Sequence, residues 1–168
     1  MKGQLHEMEK QTTRNMQKER GRLRMEIDRS LHLIAGAIDS PIKYTIEHHG
    51  PTAAYVSESF IHLYLSHSKT PSTDTVFGFP MPIPSVIVPN TEPIVVHAIF
   101  PVAFAENEID HVWSGDSFAH LVGFIKYRDV FEDDHWIRFN RVWTMYGIIT
   151  SHFGYWADCG EKQDNQQD

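Results

Sequence analysis

Eleven histidines and one run of three acids are the residues of this chain with the strongest claim to chemistry. Neutral imidazole is the commonest metal ligand and a proton carrier near neutral pH. His48 and His49 adjoin a Gly-Pro turn, while His111 and His135 each follow an aspartate near a strand end. Loops gathered at one end of a sheet could bring such groups together around a metal or small ligand, with hydrolysis as the conceivable reaction. His62 and His67 lie five apart, which on a strand puts them on opposite faces and prevents joint chelation. No Cys-x-x-Cys, helical His-x-x-x-His or calcium-loop pattern accompanies them. Solvent-facing or core-satisfied histidines are therefore the default, and no metal ligand or cofactor is assigned.

Glu132-Asp133-Asp134 has the composition for paired-carboxylate acid–base work. Its place between two strand patterns fits a solvated hairpin turn better, because adjacent aspartates suit turn backbone geometry. Ser114-Gly115-Asp116 is turn chemistry, and no Gly-x-Ser-x-Gly elbow supports a serine nucleophile. The lone cysteine, Cys159, sits beside Asp158 and near Glu161, whose charge raises a thiol pKa instead of activating it. No residue is assigned a catalytic role, and the chain reads as non-enzymatic.

The elements that would carry these residues are strands. From Ala119 to Tyr146 two long strands flank a short acidic turn. On the second, Ile137, Phe139, Trp143 and Met145 share one face while Arg138, Asn140, Thr144 and Tyr146 share the other. A period of two marks a strand with one side on a core. Leu23, Met25 and Ile27 alternate with charges in a first strand, and Ile42, Tyr44 and Ile46 do so in a second. Residues 54–67 form a third, with Ile61, Leu63 and Leu65 opposed by Phe60, His62 and Tyr64, so part of it is covered on both sides. Six prolines between Lys69 and Pro93 impose a long extended loop. A fourth strand runs from Ile94 to Phe104, interrupted at Pro101, and Ala105 to Asp116 is an acidic connection with one helical turn. His152–Trp156 makes a last strand. Trp136, Trp143, Tyr146, Phe153, Tyr155 and Trp156 have the types that line grooves and interfaces, but core packing accounts for most of them.

The fold class that follows is all-β, an antiparallel two-sheet sandwich of about six to eight strands. A charged N-terminal helix occupies residues 1–21, the sandwich 22–158, and a disordered polar tail 159–168. The helix has only a thin apolar stripe of Leu5, Met8, Thr12 and Met16, so it is marginal alone and projects or meets a partner.

Composition narrows the partners. Of 168 residues 41% are apolar, ordinary for a globular domain, and the net charge of −7 excludes a general nucleic-acid binder. Residues 1–29 nevertheless hold eight Lys or Arg against five acids, a surplus of three, which leaves −10 for the rest. Lys10, Arg14, Lys18, Arg20, Arg22 and Arg24 are thus the candidate interaction surface, a basic arm toward a membrane surface or membrane protein. Joining of copies through these helices, giving a homo-oligomer, is the other expectation. One cysteine, no 18-residue apolar stretch and no secretion signal place the chain in the cytoplasm, peripheral to the inner membrane if attached.

Gly123-Phe124-Ile125-Lys126-Tyr127-Arg128-Asp129-Val130-Phe131, followed by His135-Trp136-Ile137-Arg138-Phe139, resembles a signature of uncharacterised bacterial membrane-anchored proteins. There a strand G-x-I-x-Y-x-D-x-F leads through a short turn into H-x-T-x-F. His49-Gly50-Pro51-Thr52-Ala53 is similar to that group's N-T-G-x-T-P-A turn, and Cys159-Gly160 to its closing C-G. Departures are His48-His49 for Asn-Thr, no proline after Thr52, and Ile137 for threonine. The group's transmembrane helices have no counterpart here. The resemblance implies an immunoglobulin-like sandwich with structural motifs and no assigned activity, working as an interaction or accessory domain at the cytoplasmic face of a bacterial membrane. The alternative is a soluble metal- or small-ligand-binding sandwich built on the histidine loops.

Overall fold

The computed structural model describes residues 2–28, 30–32, 42–70, 78–98, 104–145 and 153–160. Helix α1, Lys2–Glu19, contains no proline and ends before Arg20-Gly21. Strand β1, Arg22–Ile27, buries Leu23 and Met25 and leaves Arg22, Arg24 and Glu26 outside, the alternation its sequence requires. The chain then changes sheets: Asp28 still donates its N–H to the Lys43 carbonyl (2.9 Å), while β2, Ser30–His32, pairs elsewhere.

Strand β3, Ile42–His49, lies between β1 and β6, Ile94–Ala98, in a three-stranded antiparallel sheet. The second sheet has six strands in the order β2-β9-β8-β7-β4-β5. Its members are β4 (Ala54–Ser66), β5 (Val86–Ile87), β7 (Phe118–Arg128), β8 (Asp134–Met145) and β9 (Phe153–Asp158). β7 and β8 form a hairpin in which Ile125 faces Ile137 and Gly123 faces Phe139. One apolar core joins the sheets. Leu23, Ile42, Tyr44 and Ile46 come from the smaller, and Ile61, Leu121, Ile125, Tyr127, Ile137, Phe139, Trp143 and Trp156 from the larger.

Three expectations are corrected. The connection after Ala105 is a nine-residue helix, α2 (Glu106–Ser114), not a single turn. Ala105 N–H donates to the Glu108 carboxylate at 2.8 Å, and Ile109 and Val112 enter the core, so tertiary burial extends what the acidic composition disguised. Met145 ends β8 at 38% exposure because the strand overruns the core. Asn140, placed on the solvent face, is buried, as are His120 and Val142 on the same side. The fourth strand spans Ile94–Ala98 and does not reach its expected end, since Phe104 lies in no strand; its expected continuation across 99–103 lies outside the described residues, as do Tyr146, His152 and residues 161–168 of the tail. Among the described residues no helix is long and apolar enough to cross a membrane.

Candidate functional site

The strongest concentration of buried polar contacts lies where α1 meets the sheets. Asp129 opens the β7–β8 turn, and its carboxylate is fully shielded from solvent. Oδ1 accepts the N–H of Phe131 (2.9 Å) and of Asp133 (3.2 Å), folding the turn around it. Oδ2 accepts His135 Nε2–H (3.0 Å) and lies 3.4 Å from Arg20 Nε, while a terminal nitrogen of Arg20 is ion-paired with Asp133. Burial pushes the Asp129 pKa up, but the His135 bond, the two backbone donors and the nearby imidazole charge outweigh it. The carboxyl is held below its ordinary value.

Neighbouring bonds extend this into a clamp on the chain leaving α1. The His135 ring stacks on Tyr127 (5.1 Å between centroids), and the Tyr127 hydroxyl accepts Leu23 N–H at 3.3 Å. From the β3–β4 turn, Thr52 Oγ1 donates to the Glu19 carbonyl (2.6 Å), and His48 Nε2–H donates to the Thr52 carbonyl (2.8 Å). Backbones meet so closely that a Cβ on Gly21 would sit 2.1 Å from the Thr52 carbonyl oxygen. One on Gly50, already at φ +105°, would sit 2.1 Å from that of Arg20. Two loops therefore grip residues 19–23, and α1 leaves from a fixed stub.

These contacts hold the chain between α1 and β1 in place. His135 Nε2 is taken by the Asp129 carboxylate, and among the described residues no serine, threonine or cysteine is hydrogen-bonded to the His135 ring. Among the described residues no three His, Cys, Asp or Glu side chains are grouped to hold a metal ion. His62 and His120 flank Tyr64 in a stack on the outer sheet face, with centroids 5.3 and 5.2 Å from the tyrosine ring. Burial lowers the pKa of both, opposed at His120 by a bond to the Ser68 carbonyl. Trp136, half-buried on that face, lies beneath Lys126 and Arg138 (5.2 and 4.9 Å). A cleft of about 460 Å³ between β1 and β9 contains two ion pairs, Arg24–Glu26 and Arg141–Asp158, so its charges are already compensated.

The candidate basic surface is distributed along the arm. Lys10 is exposed on α1 and Arg22 is exposed at the start of β1. Arg14 and Lys18 lie within α1, their side chains outside the described set. Arg24 pairs with Glu26 at 2.7 Å, and Arg20 is in the clamp. Sequence reasoning missed Asp129 and Asp133 as partners of Arg20, and His135 as a partner of Asp129, although Gly50, Thr52, Tyr127, Asp129 and His135 all fall in the stretches quoted for the bacterial resemblance. These residues converge at the helix joint. No known protein family, curated protein or solved structure matches the chain.

Proposed function

We propose that this is a non-catalytic interaction domain, an immunoglobulin-like sandwich serving as an accessory at the cytoplasmic face of a bacterial membrane, with α1 as the element that meets the partner. The observation that carries this reading is the clamp. Buried carboxylate bonding and two glycine close approaches are spent on fixing the base of an 18-residue helix whose Leu5 and Met8 are 63% and 65% exposed. A polar helix about 27 Å long is marginal in water without a packing partner. The sandwich assignment is supported by two antiparallel sheets around one core and by the passage from β1 to β2 between them.

Electrostatics alone make a weak membrane contact. Each exposed cation near an anionic surface contributes about 1 kcal/mol, and Arg20 and Arg24 already have carboxylate partners. Leu5 and Met8 supply the remainder, since burying such a side chain is worth about 1.5–3 kcal/mol. Flotation of the full chain and its Leu5→Glu/Met8→Glu variant on phosphatidylglycerol and phosphatidylcholine vesicles tests the reading. Flotation on the anionic vesicles, lost in the variant, supports a membrane-surface role. A chain that floats on neither has no lipid partner.

A further inference from the structure

We infer that β6 is a pairing edge for a second copy of this chain, which adds antiparallel across a two-fold axis at Val96. β6 is the outer strand of the three-stranded sheet, with β3 on one side and no strand on the other among the described residues. The ladder fixes which groups point outward. Asp28 N–H bonds to the Lys43 carbonyl, so Lys43 and alternate residues of β3 turn their main chain toward β1. Ile42, Tyr44 and Ile46 then turn toward β6, where they face Ala98, Val96 and Ile94. Val95 and His97 are left directing N–H and C=O away from the sheet.

The other edges are protected by means that β6 lacks. β1 carries Arg22, Arg24 and Glu26, and its Leu23 N–H is taken by Tyr127. β2 and β5 are three and two residues long. β6 offers five residues, IVVHA, with no proline and no Lys, Arg, Asp or Glu, and Val95 is 51% exposed. Natural edge strands of this kind are guarded by charge, proline or a bulge, or they are paired.

The sequence is self-complementary in the register the outward groups demand. With Val96 opposite its symmetry mate, Val95 faces His97 of the second copy and the reverse, giving four main-chain hydrogen bonds that use every outward group. Ile94 then lies opposite Ala98, apolar against apolar on the inner face. A slip placing Val95 opposite Val95 would set His97 against Pro93, which has no N–H to give. Two chains of net charge −7 meet here at an uncharged segment, so no like charges stand opposite. An edge of five residues is a small interface, and the dimer is in the weak, concentration-dependent class.

Sedimentation velocity of the full chain from micromolar to millimolar concentration, with hydrogen exchange at both ends of the range, tests this. Wild type is expected to shift toward dimer, with the Val95 and His97 amides gaining protection as concentration rises. Val95→Pro and His97→Pro remove outward N–H groups that have no partner among the described residues, and each is expected to weaken association at least tenfold. Leu5→Glu/Met8→Glu is expected to leave it unchanged, which separates this edge from association through α1. A chain that stays monomeric, a dimer that both proline variants leave intact, or amides at 95 and 97 that exchange at one rate throughout overturns the inference.

Discussion

Replacing Asp129 by alanine removes the acceptor on which the helix joint depends. The variant deletes two backbone hydrogen bonds and one from His135, and it strands Arg20 Nε beside an empty site. Removing one member of a buried charged pair costs about 3–5 kcal/mol, and Arg20 is partly exposed and can be rehydrated, so the low end applies, about 3 kcal/mol. For a chain of this length that lowers Tm by about 6–12 °C. Asp129→Asn keeps an oxygen for the Phe131 and Asp133 N–H groups and is expected to cost about half as much. The acid dependence has a definite sign. Because the folded pKa is depressed, the carboxylate's contribution is complete above the unfolded value of about 3.9 and fades as pH falls through the folded one. Urea unfolding of wild type and Asp129→Ala should therefore differ most near neutrality and converge in acid. A cost under about 1 kcal/mol at neutral pH, or a gap that does not narrow in acid, would falsify the clamp as a stabilising device.

Three further outcomes are expected. Gly50→Ala, forced to φ +105° against the Arg20 carbonyl, should cost more than about 1 kcal/mol in urea unfolding and speed exchange of the Leu23 amide; an unchanged midpoint would remove the close approach from the account. Tyr44 is fully buried and its hydroxyl has no partner among the described residues, and that burial drives its pKa well above the ordinary value. Tyr44→Phe should thus be neutral or stabilising by up to about 1 kcal/mol, and clear destabilisation would mean the hydroxyl is bonded. Leu5→Glu/Met8→Glu should shift thermal unfolding by less than about 0.5 kcal/mol, since both side chains face solvent; a larger loss would show α1 packed on the sheets.

Local pattern was enough wherever one face of a strand is buried along its length. Leu23 and Met25, Ile42 through Ile46, and Ile137 with Phe139 alternate with polar residues, and each set is in the core. Such alternation is a one-dimensional consequence of strand geometry, so it survives in the sequence. The same logic located α1, whose Gln, Glu, Lys and Arg favour helix without tertiary help. It failed for α2, because Ile109 and Val112 give too short an apolar stripe to outweigh the surrounding acids until the core receives them. It failed for Asn140, since alternation says which residues share a face but not whether something covers it.

The helix joint was beyond any local signal. Glu132-Asp133-Asp134 was legible as a turn, but what the turn holds depends on Arg20, which is 113 positions from Asp133. Charge type alone cannot distinguish an arginine facing solvent from one closing a buried carboxylate, because the difference lies in desolvation and in partners supplied by other strands. The sequence by itself determined a β-rich domain with a charged helix at its start. Only the tertiary structure decided that the helix is gripped at its base and that the grip is formed by Gly50, Thr52, Tyr127, Asp129 and His135. The physical reason is that strand alternation is written between neighbours, whereas burial of a charge is a property of everything that surrounds it.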